Sequence, residues 1–227
     1  MKPGWVLEFR DLVKLKKIKF RYKIQSRVDL LLQEITIDAL AESGLETVWV
    51  GAESGSQKIL DAMEKGTTVE RIYQATKLLQ SKKIKIGFFL QFGYLGENKD
   101  DIGRTIKMLL ELMPDDIGVS VSYPLPRTKF YEKVKMDLKD KTNWADSDDL
   151  ALMFRNNFQS AYYKQLHRYV HKLFRRKQAI FNLRKLLQHP FQFHKSQFRN
   201  VLSVAYYTLV LPIDALKLKN YSSCNSI

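Results

Sequence analysis

The chain has 227 residues, of which 45% are hydrophobic and 12% aromatic, enough for one or two domains with a substantial core. Its single cysteine, Cys224, excludes an internal disulfide framework and any all-cysteine zinc or iron–sulfur site built from this chain alone. The net charge of +14 is uneven: residues 1–150 carry 25 Lys or Arg against 23 acids, whereas residues 151–227 carry 13 against one, Asp214. Met1–Asp11 lacks the apolar core and cleavage site of a signal peptide, and no run of eighteen apolar residues occurs. No leader and no spanning helix are therefore predicted, and a cytoplasmic location is expected.

In chain order, Trp5, Val6, Phe9, Leu12 and Leu15 predict a helix that runs into a strand at Ile18–Gln25. One helix is predicted over Asp29–Ser43, with Gly44 as its C-terminal glycine. Thr47–Val50 reads as a buried strand, followed by the Glu53 loop and a short helix to Met63. Thr67 or Thr68 caps the next helix, whose buried stripe is Ile72, Ala75, Leu78 and Leu79. Lys85–Phe92 is a near-continuous apolar run, expected of a strand buried on both faces. Gly93–Glu97 forms a glycine-bracketed turn, and Asp100–Met113 a helix. Ile117–Tyr123 alternates as a strand does, and Pro124–Thr128 ends it before a helical turn at Phe130–Val134.

This β-α-β-α-β-α-β order argues for parallel strands with covering helices. Four strands do not close an eight-stranded barrel, so the chain holds either a small open sheet or part of a barrel. Three loops, at Glu53, Gly93–Glu97 and Pro124–Thr128, sit at strand C-terminal ends, where ligands bind in such folds. Glu53 lies between Gly51 and Gly55, and Lys65 follows past one short helix, where it could return to the same face. The plainer reading of Glu53, Ser54 and Ser56 is a helix cap.

Three segments in this order, VGAESGSQKILDAMEKGTT, GFFLQFGYLGE and PDDIGVSVSYPLPRT, resemble the radical S-adenosylmethionine (radical SAM) superfamily. The likeness covers roughly residues 20–135 and is nearest to the cobalamin-binding branch, which includes enzymes similar to the anaerobic magnesium-protoporphyrin monomethyl ester cyclase and various methyltransferases. It implies a partial (β/α) TIM-type barrel over residues 1–136, with SAM across the strand ends, followed by a basic helical extension over 150–227. By position, Glu53 with Ser54 beside it would hold the ribose hydroxyls, and Lys65 the methionine carboxylate. Phe92 and Gly93 would lie near the adenine, with Val121 beneath it. A carboxylate accepts from two hydroxyls and an ammonium neutralises a carboxylate, so the residue types suit these roles. No catalytic or metal-ligating residue is assigned.

The sequence departs from the family in three places. The cysteine triplet CxxxCxxC that holds the family's 4Fe-4S cluster is absent, as are the first two β/α units. Leu95 stands where the Gly93–Glu97 loop usually has proline, and Arg127 where a glycine is usual, a backbone demand that arginine meets poorly. The chain is therefore expected to be the C-terminal, truncated part of a radical SAM enzyme acting on a small-molecule substrate, its cluster-bearing N-terminal half either separately encoded, lost, or missing from the gene model. Cobalamin use would depend on a domain upstream. The alternative is a non-catalytic remnant or interaction module.

His167 and His171 share a helix face, but no third ligand accompanies them, which favours a polar face over a metal site. His189 and His194 carry no assigned chemistry. Arg168, Lys172, Arg175, Arg176 and Lys177 form a basic face with interleaved aromatics. Contact with nucleic acid or an anionic membrane is weighed against a solvated face, and the solvated face is favoured because no nucleic-acid-binding motif is present. An apolar helix is predicted over Val201–Leu211, ended by Pro212.

Overall fold

The computed structural model describes residues 4–33, 35–138, 150, 152–188 and 195–223, without side chains at 195–200 and 223. The chain divides into two compact units. The first comprises Met1–Gln91, Lys99–Met108 and Pro114–Val119; the second comprises Phe92–Asn98, Leu109–Met113 and Ser120–Ile227.

The elements in order are α1 (Trp5–Leu15), β1 (Tyr22–Ser26), α2 (Val28–Leu31), α3 (Thr36–Glu42), β2 (Leu45–Glu53), α4 (Gln57–Ala62), α5 (Val69–Ser81), β3 (Lys85–Phe92), α6 (Lys99–Leu112), β4 (Asp116–Val121) and α7 (Lys129–Val134). Two long helices follow, α8 (Ser160–Gln188) and α9 (Lys195–Ser223). The strands form one sheet in the order β1-β2-β3-β4, with β1 parallel to β2 and β2 parallel to β3. The fold is α/β, a partial TIM-type barrel of parallel strands followed by a basic helical region.

The sheet's covered face is apolar: Val48, Val50 and Ala52 on β2, and Ile86, Phe88, Leu90 and Phe92 on β3, are all essentially inaccessible. Its other face is more open. Trp49 and Phe89 stack there at 4.8 Å, and Phe89 is 37% exposed. A Cβ at Gly87 would meet the Trp49 indole at 2.3 Å, so glycine gives the ring its bed. β3 is therefore buried on one face rather than two, because among the described residues four strands leave the inner face of the curved sheet uncovered.

Other expectations are corrected. The single helix over Asp29–Ser43 is two short ones, with Ile35 at φ 53° as α3 begins. Leu78 is 40% exposed, and Thr76 joins Ile72, Ala75 and Leu79 in the buried stripe of α5. Thr68 caps that helix, accepting from Arg71 N at 3.2 Å. The strand expected from Ile18 begins at Tyr22. The sequence leaves Asp137–Asp149 as a polar connector without aliphatic periodicity and has Pro190 break the basic helix; of these, residues 139–149 and Pro190 lie outside the described residues.

In the second unit α9 continues through Pro212 instead of ending there. Proline forfeits one backbone hydrogen bond, and the packing of α9 on α8 outweighs that loss. By length and composition alone, Val201–Ser222 is apolar enough to cross a membrane, its few polar residues being dispersed among apolar ones. Asp214 pins α9 to α8: it accepts from Lys172 Nζ at 2.7 Å and from Gln165 Nε2 at 2.9 Å. Burial pushes its carboxyl up, but these hydrogen bonds together with the charges of Lys172 and Lys217 hold it below the usual carboxylate value. A folded value below the unfolded one means stability that is present at neutral pH and lost as pH falls through the folded value. Hydrogen exchange at α9 amides should therefore accelerate as pH is lowered below about 4, after correction for intrinsic rates. Asp214→Asn should abolish that acid dependence.

Candidate functional site

The backbone at the end of β2 is irregular. Gly51 pairs with Phe89 but Glu53 pairs with Leu90, so one extra residue is inserted on β2. Such bulges re-aim side chains beside functional sites. Ser54 N–H donates to Ala52 C=O at 2.6 Å, closing a three-residue turn centred on Glu53, whose φ is 55°. A non-glycine residue held at positive φ in so tight a turn is strained by about 1–2 kcal/mol. The turn folds the Glu53 side chain back over Gly51, where a Cβ would stand 2.7 Å from Oε1. Glycine at 51 thus makes the room in which the carboxylate sits.

A buried network holds this turn in place. Ser54 and Ser56 are fully buried. Ser54 Oγ lies 3.0 Å from Thr105 Oγ1, and the same Thr105 oxygen accepts from Gly55 N at 2.9 Å. Ser56 Oγ donates to Asp101 Oδ1 at 2.6 Å, and Lys58 Nζ donates to Asp101 Oδ2 at 3.1 Å. A Cβ at Gly55 would meet Arg104 O at 2.4 Å and Thr105 Cα at 2.8 Å, so the loop touches α6 backbone to backbone. Ser54, read from the sequence as a cofactor neighbour, has its hydroxyl engaged in this network.

Lys65 does return to Glu53. Its Nζ donates to Glu53 Oε1 at 3.0 Å, with side chains 38% and 16% exposed. The two groups expected to hold separate parts of one ligand meet directly. A pair this open contributes at most about 1 kcal/mol, so a polar ligand can compete for either partner. The pair borders a cleft of about 160 Å³, which Arg27, Asp29, Gly51 and Thr67 also line. That is less than the roughly 300–1,000 Å³ of whole small-molecule sites. Arg27 donates to Asp29 Oδ1 at 2.8 Å and to the Lys65 carbonyl at 3.2 Å, tying the end of β1 to the end of the α4 turn. The Thr67 hydroxyl is buried and has no hydrogen-bond partner, a donor-acceptor waiting at the cleft wall. Arg27 and Thr67 were not singled out as site residues from sequence. The only signal for Arg27 was its place just past a strand, at the barrel's ligand-binding end.

The other three candidate residues belong to the second unit. Phe92 is buried, on the same side of β3 as Phe88 and Leu90, and its carbonyl accepts from Ser122 N at 2.7 Å, beside Val121. Val121, the last residue of β4, is half-buried. Gly93 has φ 79°, and its N–H donates to the buried Glu97 carboxylate at 2.6 Å. Asn156 donates to the carbonyls of Gly93 and Tyr94 at 2.7 and 3.3 Å, and Asn157 to that of Glu97 at 2.7 Å. The glycine turn is thus clasped by two asparagines from beyond the expected connector, which sequence proximity could not reveal. Burial, with the Glu97 carboxylate second, pushes the Tyr162 hydroxyl up to about 12 and Tyr163 higher still, so both stay neutral. Arg127 sits at φ 68° in the turn closed by Thr128 N–H to Leu125 C=O, the conformation for which glycine is suited.

Two further groups were weighed for metal chemistry. The His167 and His171 rings lie 4.5 Å apart, and burial followed by the Arg168 charge lowers the His167 value. Among the described residues no three His, Cys, Asp or Glu side chains converge as a metal site. The donor set of this chain therefore does not fit a 4Fe-4S cluster. It does fit the polar end of SAM: a carboxylate, an ammonium and an unpartnered hydroxyl border one cleft.

Two substitutions separate the turn's strain from its use. Glu53→Gly should leave thermal stability unchanged or raise it by up to about 1 kcal/mol, because glycine relieves the positive φ and only an open ion pair is lost. Gly55→Ala should cost about 1–3 kcal/mol in chemical denaturation, since the backbone of α6 cannot yield to a methyl.

Comparison with known proteins agrees with this geometry. Residues 3–109 match the model of the family described as the radical SAM superfamily. The chain is 33% identical over 108 residues to a putative methylthiotransferase of Methanocaldococcus jannaschii, covering 48% of this chain and 24% of that protein. It is 26% identical over 129 residues to the anaerobic magnesium-protoporphyrin IX monomethyl ester cyclase of Rubrivivax gelatinosus, covering 56% and 23%. The solved structure of the cobalamin-dependent SAM radical enzyme OxsB with aqua-cobalamin superposes with a TM-score of 0.57 at 16% identity, over 95% of this chain and 37% of that one, a likeness of fold. The chain spans less than half the length of each of these proteins. The segment that matches the radical SAM superfamily, residues 3–109, holds the parallel strands β1, β2 and β3 and the bulged end of β2.

Proposed function

We propose that this chain supplies the SAM-cradling part of a radical SAM site whose cluster cysteines lie outside it. The observation that carries the reading is the cleft at the end of β2, which the Glu53–Lys65 pair lines together with Thr67, whose buried hydroxyl has no hydrogen-bond partner. Glu53 would accept hydrogen bonds from the ribose hydroxyls through the oxygen that Lys65 leaves open. Lys65 would swing to the methionine carboxylate, a charge-assisted bond that replaces the one it gives up. Arg27 holds the Lys65 backbone, so only the side chain needs to move. The strained turn keeps the carboxylate in place before ligand arrives, which lowers the ordering cost of binding.

SAM bound against a cluster would supply a 5′-deoxyadenosyl radical or a methyl group. The residues of this chain would bind and orient it. A separately encoded or otherwise separate cluster-bearing half would complete the site, and a cobalamin domain, if used, would lie in that sequence too. The cleft of about 160 Å³ suits this division, since it would cover one end of a ligand and leave the other for a second surface.

The test is calorimetric titration of SAM into the purified chain, followed by anaerobic treatment with iron and sulfide. The chain should bind SAM weakly, and Glu53→Gln should weaken that binding by about tenfold, the loss of a hydrogen bond to a charged group. No cluster absorbance should appear. A reconstituted cluster with SAM cleavage by the chain alone would overturn the reading, as would SAM binding untouched by both Glu53→Gln and Lys65→Ala.

A further inference from the structure

The long helix α9 is apolar on two faces, and only one of them is used. Leu211 and Asp214 are 4% and 5% exposed and mark the face on α8, where Asp214 meets Gln165 and Lys172. The other face carries Leu202, Tyr206, Leu209, Ile213 and Leu216, spaced four, three, four and three, so they form one stripe along the helix. These five side chains are 53–74% exposed. A continuous apolar stripe this open is a docking surface rather than scattered surface leucines.

Charge selects its partner. The stripe ends at the exposed Lys217 and Lys219, and α8 adds exposed Arg168, Arg184 and Lys185. Residues 151–227 as a whole carry 13 cationic side chains against one acid. An apolar stripe that ends in two exposed lysines, in a helical pair rich in cations, complements a bilayer with anionic headgroups. A nucleic acid would need cations on the contact face itself, and no Lys or Arg occurs from residue 201 to residue 216. A second copy of this chain would bring one strongly positive tail against another. Crossing the bilayer is opposed by the partner helix, since α9 is ion-paired to α8 and α8 carries its charges along its whole length.

We propose that the exposed face of α9 lies flat in the surface of an anionic bilayer, with its other face held on α8. The Leu209 and Leu216 side chains enter the acyl boundary, and the flanking lysines meet the headgroups. The Asp214–Lys172 pair stays within the hairpin and keeps α9 from turning into the hydrocarbon. This docking is independent of the SAM reading and concerns residues outside the β2 cleft.

The test is co-sedimentation of the full chain with sucrose-loaded vesicles of mixed phosphatidylglycerol and phosphatidylcholine, or of phosphatidylcholine alone, at low and high salt. The chain should sediment with the anionic vesicles, more weakly at high salt, and should be released by alkaline carbonate. Leu209→Ser with Leu216→Ser should lower partitioning by more than about tenfold with circular dichroism unchanged. If that pair loses helix, Lys217→Gln with Lys219→Gln decides, with several-fold weaker binding to anionic vesicles only. Absence of vesicle binding overturns the proposal. So does retention after carbonate, which means a spanning helix, or RNA binding without vesicle binding. Self-association that the serine pair abolishes, without vesicle binding, would likewise overturn it and assign the stripe to a second copy.

Discussion

The hydroxyl of Thr105 is the contact on which the candidate site depends. It meets Ser54 Oγ and accepts from Gly55 N, and one turn earlier on α6 Asp101 receives Ser56 and Lys58. Ser54, Ser56, Asp101 and Thr105 are buried, so each would cost free energy if left unpaired. Together they fasten the loop after β2 to α6 at backbone contact distance. With that loop fixed from behind, Glu53 sits at φ 55° in the turn closed by Ser54 N–H and the Ala52 carbonyl. The strain at Glu53 and the satisfaction of the serines are two ends of one arrangement.

The arrangement explains a division of labour within a short sequence. In ESGSQK, the serines face inward into the loop's hydrogen bonds, and the glutamate turns towards the cleft, where it meets Lys65. Ser54, Gly55 and Ser56 secure the loop; Glu53 projects over Gly51 into the cleft. Lys65 comes back across a six-residue helix, and Arg27 clamps its backbone from the end of β1. The ends of β1 and β2 and the segment after α4 thereby meet around one small polar space. In the second unit the Gly93–Glu97 turn is secured differently, by a buried carboxylate on the Gly93 N–H and by two asparagines on its carbonyls.

The cluster stands outside this chemistry. A 4Fe-4S centre needs thiolates. One cysteine in 227 residues cannot supply them, and among the described residues no other metal-binding group of three converges. The chain nevertheless keeps a cleft whose donors suit the polar end of SAM. The helical hairpin is a separate feature: its inner face is locked by Asp214 and its outer face is apolar and open.

By itself the sequence determined the alternation of strands and helices, the parallel sheet and the three strand-end loops, because hydrophobic period and glycine placement are local signals. It also showed that Arg127 would occupy a position built for glycine, and the φ of 68° there agrees. The sequence could not show that Ser54 points inward, since helix caps and ligand-binding serines look alike along a chain. Nor could it show that Arg27 and Thr67 reach the cleft, because they arrive from different loops. Leu78 was misassigned since a helical stripe wide enough for four residues can rotate by one position when a threonine finds its own backbone partner, as Thr76 does with the Ile72 carbonyl. The end of α9 was misplaced because a proline breaks a helix only when packing does not hold both sides of it together. That Glu53 leaves the helix cap and pairs with Lys65 at the cleft was decided by tertiary structure alone: a backbone bulge, and a buried threonine fifty residues from Gly55, set the turn that carries it.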